Sequence, residues 1–78
     1  MSTLEETWAR IHQFMLLYQG MDSLPLAESR QRFLKIAAGM RKFNEDVDYF
    51  SANAPPSDSR RDVALDLRDL IKGAMHSS

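Results

Sequence analysis

The sequence predicts an all-α fold, a small antiparallel three-helix bundle in which a helical hairpin is joined by a third helix around a long central one. Three observations predict it. Ile36, Met40, Phe43, Val47 and Phe50 recur at steps of four and three, the period of one helix face. Two short connections rich in Gly, Pro and Ser interrupt the chain, and no segment alternates apolar and polar residues as a half-buried strand does.

The first helix, about residues 3–19, opens on "STLEE". Thr3 with Glu6 has the spacing of a capping box, as has Ser2 with Glu5 one residue earlier. Leu4, Trp8, Ile11, Met15 and Tyr18 then form its apolar face, and Gly20 is a natural stop, with Met21 placed to close a hydrophobic contact. Leu24 precedes a proline, which disfavours helix there, so the second helix is expected from Pro25. Leu26, Ser29, Phe33, Ile36, Met40, Phe43, Val47, Phe50 and Ala54 carry its seam without a slip; residues 25–52 would span about 42 Å. "NAPPSDS" ends that helix with two prolines and supplies Ser57 or Ser59 as the next cap. The third helix is expected over 59–72. Val63, Leu67, Leu70 and Ala74 form its stripe, widened by Ala64 and Ile71, with a stop at Gly73 and a frayed tail over 74–78.

Folded back on the second helix, the first and third would line most of it. The expected core is Trp8, Ile11, Met15, Tyr18, Phe33, Ile36, Met40, Phe43, Val47, Leu67 and Leu70. Some apolar residues fall outside it. "FMLLY" is apolar all the way round, and Leu34 projects away from the seam among Arg30, Ala38 and Arg41. Gly39 costs about 1 kcal/mol relative to alanine in mid-helix, which close approach of another backbone would offset. The functional state is therefore expected to be a homodimer or a complex with another protein.

Composition narrows the chemistry. The 78 residues form one domain, 1–78, with ten Lys and Arg against eleven Asp and Glu and an apolar fraction of 44%. A domain of this size buries only about 60% of the surface its unfolded chain exposes, so oligomerisation or a partner would help it. Without cysteine there is no disulfide, thiolate metal site or thiol catalysis. His12 and His76 have no second ligand at metal spacing, and Glu45, Asp46 and Asp48 lack the glycine of a calcium loop and read as a solvated face. The three glycines are isolated, which excludes a phosphate loop, and no base is placed to activate a serine. No enzyme activity, cofactor, metal or small-molecule substrate is expected. No apolar run approaches the roughly 20 residues of a membrane span, and the acidic "MSTLEETW" is unlike a secretory signal. The expected location is cytoplasmic.

The functional expectation is a non-enzymatic protein–protein interaction module acting by surface occupancy, as an adaptor, a secretion-type chaperone or a small inhibitor or regulator. Its partner-binding residues are expected to be Leu16, Leu17, Arg30, Leu34, Arg41, Tyr49 and Phe50, since aromatic and arginine side chains dominate binding energy once desolvated. The alternative is a small nucleic-acid-binding regulator. It would use the basic first half of helix two, Arg30, Arg32, Lys35, Arg41 and Lys42, joined by Arg60 and Arg61. Against it stand the slightly acidic chain and the acids Asp58 and Asp62 that bracket those two arginines. Helix two is basic early and acidic late, so two copies laid antiparallel would match opposite charges.

Overall fold

A computed structural model describes residues 3–76. They form α1 (Leu4–Tyr18), a single 3₁₀ turn (Met21–Ser23), α2 (Leu26–Asn53) and α3 (Ser59–His76). The bundle measures 39 × 23 × 19 Å, its long dimension set by the 28 residues of α2. It is an antiparallel three-helix bundle. Along α1 and α2, Arg10 meets Asp46 and Phe14 meets Phe43, so one number rises as the other falls.

The helix ends follow local chemistry. Thr3 Oγ1 accepts the Glu6 N–H at 3.1 Å, which caps α1. The alternative cap at Ser2 lies outside the described residues. Gly20, at φ 80°, occupies the left-handed region after α1, and Met21 packs against the core as the spacing predicts. Pro25 stands immediately before α2, and Ala54 is extended ahead of Pro55 and Pro56. At α3 the cap is Asp58, one residue away from either predicted serine: its Oδ1 accepts the Arg60 N–H at 3.0 Å. Gly73 does not end α3. The helix runs on to His76, because Met75 still packs against the core beyond it. The predicted fraying over 74–78 is thus absent up to His76, and Ser77 and Ser78 lie outside the described residues.

The core is Ile11, Ile36, Phe43, Val47, Phe50, Ala54, Ala64, Leu67 and Ile71. Trp8, Met15, Tyr18 and Met40 are half-buried against it. Two expectations fail here. Phe50, placed by the sequence on a contact surface, is 0% exposed and lies 5.6 Å from the Trp8 ring. Leu70, placed in the core, is 57% exposed. The buried stripe of α3 is Ala64, Leu67 and Ile71, about 100° round the helix from Leu70.

Gly39 receives a side chain of its own chain rather than a foreign backbone. A Cβ there would sit 2.9 Å from Phe14 Cε2, and the Phe14 ring stacks on Phe43 at 4.3 Å with a 13° tilt. The glycine opens a slot for an aromatic pair worth about 0.5–1.5 kcal/mol beyond its burial, which offsets its helix cost.

One acid leaves the predicted solvated face. Asp46 is buried, and Arg10 donates to it from Nε at 3.1 Å and Nη2 at 3.2 Å while Lys42 approaches at 3.4 Å. The neighbouring carboxylate holds the Arg10 guanidinium above its usual range. Buried Thr7 completes the lock: its hydroxyl donates to the Thr3 carbonyl at 2.9 Å and accepts from Arg10 Nη2 at 3.3 Å. A charge this enclosed needs such partners, and here they fix the register of α1 on α2.

Asn44 Oδ1, by contrast, is buried with no hydrogen-bond partner among the described residues. Such an acceptor costs about 1–3 kcal/mol. Asn44→Leu should therefore raise stability by about 1 kcal/mol, read as a higher urea midpoint at unchanged slope; a lower midpoint would show that the amide makes a needed bond.

Candidate interaction surfaces

The partner-binding residues expected from sequence do not assemble into one surface. Ile11 of α1 and Ile36 of α2 are both buried and mark the inward side of each helix. At about 100° per residue, Leu34 lies about 160° from Ile36, with Arg30 and Arg41 beside it, on the outer face of α2. Leu34 is 67% exposed there. Tyr49 is exposed on the other flank of that outer face, and Phe50 is in the core. Leu17 is half-buried against the core, while Leu16 is 45% exposed on α1, away from α2.

Leu16 belongs with residues that sequence reasoning assigned elsewhere. It lies three turns after Glu5, only about 20° off the same line along α1. Glu5 reaches α3: its carboxylate accepts from Arg60 Nη1 and Nη2, each at 3.1 Å. The line through Glu5 and Leu16 is therefore the flank of α1 that looks towards α3. On α3, Arg60, Val63, Leu67, Leu70 and Ala74 follow at steps of three and four within about 80° of arc, the flank that looks back towards α1. Apart from Arg60, these are the residues of the predicted α3 stripe. Val63 is 45% exposed and Leu70 57% because α1 does not close over them.

The two helices are clamped at one end. Besides Glu5, Arg60 donates to Asp58 from Nε at 3.1 Å and from Nη2 at 2.8 Å. Its guanidinium lies 5.3 Å from the Phe50 ring centroid and 5.7 Å from that of Trp8. Arg60 bonds and the adjacent N–H hold the Asp58 carboxyl below its ordinary range. That contribution is present at neutral pH and is lost as the pH falls through the lowered value. Arg60 itself is raised by Asp58 and then Glu5.

At the other end the bundle opens. Tyr18, Gln19, Met21 and Asp22 on one side and Ala74 and Met75 on the other border a cleft of about 290 Å³ floored by Phe33 and Ile36. Phe33, expected in the core, is half-buried because it forms this floor. From the Arg60 clamp to this cleft runs an apolar seam between α1 and α3.

The basic residues of α2 form no single stripe. Arg30 and Arg41 occupy one flank of its outer face; Arg32, Lys35 and Lys42 are displaced towards the other, Arg32 is half-buried, and Lys42 is engaged with Asp46. Arg60 is held in the clamp. No group of three or more His, Cys, Asp or Glu able to hold a metal occurs among the described residues. Nor is any of their helices long and apolar enough to cross a membrane. The chain matches no protein-family model, no curated protein and no solved structure.

Proposed function

We propose that this chain is a protein-binding module that works by occupancy, masking or holding a partner as an adaptor, chaperone or inhibitor does, through the seam between α1 and α3. The observation that carries the reading is the half-exposed row of Leu16, Val63 and Leu70 leading into an apolar cleft floored by Phe33 and Ile36. Completing the burial of three such side chains contributes roughly 2–4 kcal/mol to an association. A cleft at the lower limit of small-molecule pockets suits an inserted side chain better than a cofactor.

The test is capture of a stoichiometric partner from the native host by the intact chain, repeated with Leu16→Glu and Leu70→Glu. Both positions are exposed enough for the fold to survive, which circular dichroism checks. Each substitution should weaken capture by about 30-fold or more, because it loses an apolar contact of about 1 kcal/mol and also buries an unpaired carboxylate, together at least about 2 kcal/mol. Capture that survives both changes but is lost in Leu34→Asp would move the function to the outer face of α2 and overturn the seam as the working surface.

A further inference from the structure

The charges bordering the seam say what kind of partner fits. On α3 they are sorted by side. Arg61, Arg68 and Lys72 fall within about 40° of arc on the flank towards α2, where Arg68 Nη1 bonds to Asp48. Asp62, Asp66 and Asp69 fall within about 60° on the outward side, and Asp66 is only about 40° round from Leu70. All three aspartates are exposed, and none forms an ion pair among the described residues. Asp62 and Asp66 are four apart and Asp66 and Asp69 three apart, spacings at which like charges oppose helix formation by about 0.2–0.5 kcal/mol per pair. Asp22 adds a further exposed acid at the mouth of the cleft. The opposite rim, on α1, carries Glu5, already paired with Arg60, and then the uncharged Ala9 and Gln13 together with His12.

We propose that the seam takes a cationic amphipathic helix of a partner protein, its apolar stripe lying between Leu16 and Leu70 and its Lys or Arg flank along Asp62, Asp66 and Asp69. The proposal rests on the seam being the working surface and adds the chemistry of its occupant. The dimensions match: from Val63 to Ala74 this flank of α3 runs about 16 Å, three turns of a docked helix reading i, i+3/i+4, i+7 and i+11. Such a helix would give the bundle a fourth member in the one gap between α1 and α3, and one bulky residue of its stripe would enter the cleft over Phe33 and Ile36. Opposite charge also speeds encounter and sets the helix in register. A second copy fits less well. Seam against seam would bring two aspartate rims together if antiparallel and would set each against the α1 rim if parallel, and neither arrangement supplies the aspartates with cations. Seam against the outer face of another copy's α2 would set the aspartates beside Glu45 and Asp48 as well as Arg30 and Arg41 and would leave both surfaces free at each end, and such head-to-tail contacts grow into filaments.

Two fluorescein-labelled peptides of about 18 residues test it, with one identical leucine stripe and either Lys or Glu on the flanks. Each is titrated against the full chain by anisotropy. The Lys peptide should bind, weaken at least about tenfold between about 50 and 500 mM salt, and weaken similarly in the Asp62→Asn, Asp66→Asn, Asp69→Asn variant. Leu70→Glu, or Leu16→Glu if the first variant misfolds, should abolish binding; the Glu peptide should not bind. Equal binding of the two peptides would overturn the charge assignment while leaving the seam as the working surface. Lys-peptide binding that persists in both leucine variants, or binding of neither peptide, would overturn the docked helix. A doubling of mass by light scattering that Leu70→Glu removes would give the seam to a second copy and overturn it too. Capture of the native partner through Leu16 and Leu70 is independent of all these peptide outcomes, so failure here is distinguishable from failure of the functional reading.

Discussion

Phe50→Ala is expected to cost about 3–5 kcal/mol, the range for truncating an enclosed aromatic residue. The side chain is wholly buried, packs on Trp8 at 5.6 Å, and forms half of the aromatic surface under Arg60 at 5.3 Å. Shortening it removes apolar contact, opens a cavity and takes one of two rings from beneath the guanidinium. A domain of this length has roughly 4–12 kcal/mol in total. The variant should therefore melt more than about 12 °C lower, and at the weak end of that range it is unfolded at room temperature. Thermal denaturation followed by circular dichroism reads the effect. Retained stability with lost partner capture would return Phe50 to the contact surface that the sequence suggested.

Much of the fold was legible because it rests on local rules. The heptad from Leu26 to Ala54, the Thr3 cap, the left-handed Gly20 and the stop at Pro55 and Pro56 each depend on neighbours within four residues. What was not legible depends on pairings across the chain. Nothing around Asp46 in sequence indicates that Arg10, 36 positions away, will enclose it. Nothing in Gly39 names Phe14 as the ring it seats. Arg60 read as a surface cation, and only the folded chain brings Glu5, Trp8 and Phe50 to it.

The choice of stripe on α3 shows the limit most clearly. Val63, Leu67, Leu70 and Ala74 make as good a pattern as Ala64, Leu67 and Ile71, and the two share Leu67. Periodicity finds both and cannot rank them. Packing against α2 buries the second, which leaves the first as the apolar side of an open seam. The seven expected contact residues scattered for a related reason. Leu16, Leu17 and Leu34 stand outside one core stripe per helix, Arg30 and Arg41 flank Leu34, and Tyr49 and Phe50 lie near the distal end of α2; Leu16 and Leu34 turn out to face opposite sides of the bundle.

The absence of cysteine makes the open seam directly measurable, because one introduced thiol reports on one position. Leu70→Cys and Ile71→Cys are adjacent on α3, 57% and 0% exposed in the native residues. In the purified chain, a thiol reagent should modify Leu70→Cys nearly as fast as in the denatured chain. Ile71→Cys should react more than about 100-fold slower, even after the stability lost by shortening the isoleucine. Equal protection of the two positions at low protein concentration would mean that α1 covers the Leu70 flank, and an open α1/α3 seam would be contradicted.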